Sequence, residues 1–161
     1  MSLFSCRSIP KGVDAVKNFQ KERYLGKWFE IARIDFKYER DMNNTTADYS
    51  AMSNGKIKVV NNGYNSKKKK WETATGKAKF VGDENTAMLK VSFFGPFYAG
   101  YNVIKLDKDY KYALVTGKNL NYLWILSRTT TLPADVRQEY TQFASHVGFD
   151  TTRLTWVEHN K

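Results

Sequence analysis

TADYSAMSNGKIKVVNNGY, Thr46–Tyr64, contains two runs of alternating apolar and polar residues separated by Ser53-Asn54-Gly55. An Asn-Gly pair between such runs is the strongest short-range hairpin signal, because both residues tolerate the positive φ that a tight turn between twisted strands needs. Successive strand side chains point to opposite faces. Ala47, Tyr49 and Ala51 therefore share one face against Asp48 and Ser50, and Ile57, Val59 and Asn61 oppose Lys56 and Lys58. One face of this hairpin is built for a core and the other for water.

The same pattern continues on both sides. KWETATGKAKF, TAMLKVSFF, YAGYNVIKL, YKYALVTG and LNYLWILSR follow at near-regular spacing, each preceded by a turn signal, and a first strand starts near Lys27. Eight strands joined by short turns describe an all-β, antiparallel up-and-down meander. Closing it into a barrel removes both exposed edges. Ala87, Leu89, Val91 and Phe93 should point inward, and Met88, Lys90 and Ser92 outward. In the eighth strand Tyr122, Trp124 and Leu126 form one apolar row, but Leu123 and Ile125 form a second, so something must cover the outside. The cover follows at once. Pro133 opens a helix in which Val136, Tyr140, Phe143 and Val147 recur at helical spacing before Gly148. RLTWVEH then predicts a short final strand. Phe36 to Thr45 reads as a long first loop folded over the mouth.

The 161 residues make one domain, with residues 19–161 as its body and residues 1–18 as a leader that wraps it. The net charge of +10 admits nucleic acid, an anionic membrane surface or anionic small ligands as partners. Much of the excess sits in Lys67 to Lys70, where a charge run between strands is usually a solvated hairpin tip. Nucleic-acid binding is not expected, because the strand lysines oppose an apolar inward row rather than interleaving with exposed aromatics. No stretch approaches the roughly 18 apolar residues of a spanning helix. Cys6 is the only cysteine, so no internal disulfide forms.

An eight-stranded barrel has room for one small ligand. Small inward residues such as Ala47, Ala51 and Ala87 leave space, while Tyr49, Phe93, Trp124 and Asn61 offer apolar walls with an isolated polar group. Side chains that simply fill the barrel would give the same composition. Catalysis has little to stand on. His146 and His159 are not at metal-ligand spacing, no Gly-x-Ser-x-Gly elbow is present, and the carboxylates Asp107, Asp109, Asp83 and Glu84 sit at turns. Neither a metal nor another cofactor is expected.

Gly26-Lys27-Trp28 at the start of the first strand, LDKDYKYALV at Leu106–Val115 and Arg128 closing LWILSR resemble, in type, order and spacing, the three signature regions of the lipocalins. The likeness covers roughly Asn18 to Glu158 and is greatest to the bacterial outer-membrane branch and its animal relative apolipoprotein D. It implies a tryptophan, Trp28, plugging the closed end, with Arg128 packed across its ring. It further implies a pocket containing Tyr49, Asn61, Tyr101 and Trp124, and a fatty acid or lysophospholipid as ligand. LFSC at Leu3–Cys6 is similar to the end of a lipoprotein signal, so Cys6 is the candidate lipidation site and the outer membrane, facing the periplasm, the implied location. The implied assembly is a monomer or weak homodimer, touching the membrane through the anchor and its basic surface. A lipocalin-fold enzyme, or a basic-surface binder of an anionic polymer, is the alternative function.

Overall fold

β2 (Met42–Ala51) and β3 (Ile57–Asn65) pair antiparallel, with Tyr49 opposite Val59 and Ala51 opposite Ile57. Gly55 takes φ +80° in their turn, and the Asn54 side chain accepts a hydrogen bond from the Lys56 N–H. This computed structural model describes residues 8–161 of the chain, so Cys6 lies outside the described residues. From the hairpin the sheet continues through β4 (Lys70–Phe80), β5 (Met88–Phe94), β6 (Phe97–Leu106), β7 (Tyr112–Thr116) and β8 (Leu123–Ser127), each paired with its predecessor. β1 (Gly26–Ile34) bonds to both β2 and β8 and closes an eight-stranded antiparallel barrel. β9 (Leu154–Trp156) is an extra strand on the outside, pairing with the end of β1 from Ala32 to Ile34.

Closure separates two apolar cores. The interior one contains Trp28, Tyr49, Val59, Leu89, Val115 and Leu126, with Phe93 and Trp124 packed against it. The exterior one lies between the wall and α2 (Ala134–His146), where Leu123 and Ile125 are buried with Tyr140 and Ala144. The second apolar row of β8 is thus covered by the helix. Pro133 stands at its N-cap, just ahead of the first helical residue, and Gly148, at φ +111°, lets the chain turn away after it.

One boundary differs from the sequence pattern. β2 starts at Met42, so the loop at the mouth is only Asp35–Asp41, not Phe36–Thr45. Asn is depleted in strands, so the Asn43-Asn44 pair reads as loop, and here the segment is held by distant partners. Met42 pairs with Asn65, its carbonyl accepts from Arg33, and Asn44 is tied at both backbone and side chain to the C-terminal residues Glu158 and Asn160. Ser92, expected outward, is also buried, its hydroxyl donating to the Gly95 carbonyl where the β5–β6 register shifts.

The segment from Ser8 runs along the barrel and bonds to its strands, Val16 N–H to the Val103 carbonyl and Ala87 N–H to the Val16 carbonyl. It then leads into α1 (Lys21–Tyr24), which crosses the end of the barrel where β1 begins. That end is the floor. The opposite end carries the loops at residues 35–41, 66–69, 95–96 and 117–122, and is the mouth.

Candidate functional site

The floor is made by Trp28 and Arg128. Trp28 is fully buried, and its indole N–H donates to the Tyr24 carbonyl at 2.8 Å. Arg128 lies 3.8 Å above the ring centroid and donates to the carbonyls of Tyr110, Lys27, Arg23 and Tyr24. A guanidinium over an indole gains a cation-π attraction while its fork satisfies carbonyls left free where the chain crosses the barrel end. Gly26 makes room for it: φ there is +100°, and a Cβ would lie 3.3 Å from an Arg128 Nη1.

Above the floor, Tyr101 on β6 joins Tyr24 on α1 at 2.6 Å and Tyr49 on β2 at 2.8 Å through their hydroxyls. Burial holds all three well above the usual tyrosine range, so they are neutral. Three O–H groups share two hydrogen bonds, which leaves one hydroxyl hydrogen for a ligand.

Nearer the mouth the interior carries charge. The strand period puts Glu30 on the same inner face as Trp28, and a bulge between Glu30 and Ala32 turns Arg33 inward as well, opposite Trp124. Arg33 donates to Glu30, to Asp35 at 2.9 Å and to the carbonyls of Glu39 and Met42. Glu39, on the mouth loop, accepts the Trp124 indole N–H at 2.8 Å. Burial, reinforced by the Glu39 charge, pushes the Glu30 carboxyl well above the usual carboxylate range.

The sign of the pH effect follows. An unfolded Glu30 loses its proton near its ordinary value of about 4.3, whereas the folded one keeps it. Above that pH the folded state holds the extra proton, and stability falls with rising pH until folded Glu30 also ionises. Glu30→Gln carries no such proton and should lose this decline. Urea unfolding of both proteins from pH 4 to 8 checks it; parallel stability curves would contradict the assignment.

The remaining expected residues line the upper lumen. Asn61 sits opposite Ala47 and Ala74, half-buried. Ala74 is in step with inward Ala78 yet exposed, so the lumen is open at this height. Phe93 lies across Gly76, where a Cβ would come within 2.7 Å of the ring. Trp124 meets Phe36 and Tyr122 at the mouth, with ring centroids 5.8 and 6.4 Å away. The structure therefore brings Tyr49 and Tyr101 into direct contact and sets Phe93, Asn61 and Trp124 at other points of one interior. Tyr24, Glu30, Arg33 and Glu39 were not anticipated. Alternation from Trp28 could have found Glu30; Arg33 depends on the bulge, which alternation does not show. Among the described residues no cluster of His, Cys, Asp and Glu could hold a metal ion, and no helix is long and apolar enough to cross a membrane.

Comparison with known proteins agrees with this architecture. The lipocalin-like domain model matches residues 19–159. The outer membrane lipoprotein Blc of Citrobacter freundii is 52% identical over 149 residues, which cover 92% of this chain and 84% of that protein. Apolipoprotein D of Mus musculus is 31% identical over 88% of this chain and 78% of its own length. Insecticyanin from the tobacco hornworm Manduca sexta superposes with a TM-score of 0.76 over 96% of this chain and 88% of its own, at 19% identity, a likeness of fold.

Proposed function

Because the chain belongs to the lipocalin family, a family of barrels that bind small hydrophobic ligands, we propose that it carries a single-chain lipid, a fatty acid or lysophospholipid, in its barrel. Its location is the bacterial outer membrane, shared with the outer membrane lipoproteins it resembles over most of its length. The observation that carries the proposal is the polarity of the interior. The floor is sealed, the walls are apolar, the tyrosine hydroxyls are neutral, and Glu30, its carboxyl held above the usual range by burial, is already bonded to Arg33. Arg33 is the cation on the inner face of β1, and its donors are already taken by carboxylates and carbonyls. A ligand's charged head has no partner deep inside, so the acyl chain goes in and the head stays at the mouth.

The chain would lie against Tyr49, Phe93 and Trp124, stabilised by about 0.8 kcal/mol per buried methylene. Asn61, in the upper lumen, would take an ester or hydroxyl oxygen, while the tyrosine hydroxyls around Tyr101, just above the floor, lie at the acyl end rather than near the head as the sequence reading had it. Cys6, in its LFSC context, is the residue we assign to the lipid anchor, holding the protein on the periplasmic face.

Native mass spectrometry of the purified protein, followed by extraction and lipid identification, tests the reading. About one fatty acid or lysophospholipid per chain is expected. Trp124→Ala should weaken displacement of a fluorescent fatty acid by about tenfold, since it removes a large apolar wall, and leave the far-UV spectrum unchanged. A barrel that arrives empty and takes up no added lipid would overturn the proposal.

A further inference from the structure

Large apolar side chains left exposed on a protein surface mark contacts when they gather in one place. Among the described residues, Tyr38, Trp71, Phe94, Phe97 and Leu120 are exposed and all lie in or beside the four mouth loops; Val81 is the sole counterpart at the floor end. Phe94 and Phe97 are the most exposed, at 69% and 77%, and pair across a two-residue turn, Gly95-Pro96, that the Ser92 hydroxyl braces. The tip therefore presents two rings to solvent on a braced backbone turn.

The charge is distributed the same way. The mouth loops and the first residue of β4 carry Lys67 to Lys70, Lys37, Arg40 and Lys118 against Asp35, Glu39 and Asp41. Asp35 and Glu39 are already occupied by Arg33. At the floor end, Lys21, Arg23, Lys56, Lys108, Lys111 and Arg128 are nearly balanced by Glu22, Asp83, Glu84, Asp107 and Asp109. Aromatic rings ringed by lysines match a surface that is anionic outside and apolar beneath.

The start of the described chain is at this end too. The Ser8 carbonyl accepts from Asn102, and a Cβ at Gly100, near the mouth end of β6, would lie 2.7 Å from it and 3.2 Å from the Lys118 nitrogen. The first described residue thus lies at the mouth end of the barrel.

We propose that the barrel docks mouth-down on an anionic bilayer, with the Phe94–Phe97 tip inserted among the head groups and the lysines of the 66–70 turn on the lipid phosphates. This deepens the carrier reading, since a lipid could then pass from leaflet to lumen without crossing water. A second copy of the chain is the less fitting occupant, because it would bring a like-charged rim to face this one.

The test is co-sedimentation of the full chain with vesicles of phosphatidylcholine alone and with 30% phosphatidylglycerol. Binding is expected only to the anionic vesicles, and to weaken with salt. A lysine near an anionic surface is worth about fivefold in partitioning, so replacing Lys67 to Lys70 by glutamine should cost at least tenfold. Phe94→Ser with Phe97→Ser should cost a similar factor without affecting the fold, because both rings are in solvent. Brominated lipid should quench a tryptophan at Phe97→Trp and spare one at Val81→Trp. Equal binding to neutral vesicles, quenching at Val81→Trp instead, or wild-type binding by the double serine variant would overturn the proposal. So would self-association that the serine pair abolishes while vesicle binding is absent. Fatty-acid uptake measured without vesicles keeps the two readings apart: a protein that docks but stays empty defeats the cargo proposal alone, and one that fills but does not dock defeats this one.

Discussion

Trp28→Ala is expected to lower unfolding stability by about 3–5 kcal/mol, the range for truncating a fully buried large aromatic. The indole has no exposed surface, packs tilted against the Tyr24 ring with centroids 5.0 Å apart, and lies under Arg128. Its loss opens a cavity beneath a guanidinium that four carbonyls hold in place, so the floor cannot readily collapse to fill it. Trp28→Phe keeps a ring under Arg128 and gives up the N–H to Tyr24, whose carbonyl still accepts from Arg128. It should cost about 1–2 kcal/mol. Urea denaturation followed by the remaining tryptophans measures both, and an alanine variant within 1 kcal/mol of the parent would show that the plug is dispensable.

Arg33→Met is the second large effect, about 3–5 kcal/mol at neutral pH, because removing one partner of a buried ionic group leaves the others uncompensated. Arg33 is 2% exposed and is the cation shared by Glu30, Asp35 and Glu39. Methionine nearly fills the space, so packing is largely kept and the loss is electrostatic. Arg33→Lys, which keeps the charge, should recover part of the loss. An equal loss in the lysine and methionine variants would mean that the charge of Arg33 is not what stabilises the site. Because Arg33 also holds the Glu39 carbonyl on the mouth loop, the variant should loosen the loop that covers Trp124.

The strands were legible because each carries a two-residue alternation bounded by turn residues, and the outer helix because Leu123 and Ile125 demanded a cover. What alternation could not show was where the period slips. The bulge after Glu30 reverses the sense of Arg33, and a second irregularity between Asn43 and Thr46 lets β2 begin among residues that look like a loop. Arg33 was missed for that reason, since its inward sense is known only from its register with Trp124, whereas Glu30 keeps the period of Trp28 and was passed over because a carboxyl in a strand looks like an outward residue. Tyr49 was legible as an inward residue and Tyr101 came only through the family resemblance, while Tyr24 joins them from a single turn of helix that has no strand period. The basic excess was read as a solvated hairpin tip, and its alignment with the exposed aromatics of three other loops appears only once closure brings those loops to one end.

β1 owes its hydrogen bonds to β2, β8 and β9, and the last two are encoded roughly a hundred residues after it. During synthesis the first strand to leave the ribosome is therefore the last to be fully paired. The floor has the same dependence, since Trp28 waits for Arg128. Contacts this distant in sequence must pay loop-closure entropy before they return any stability, which makes their formation slow. A growing chain can form the meander of neighbouring hairpins but not the sealed barrel, and it stays unlocked until its C-terminal third exists.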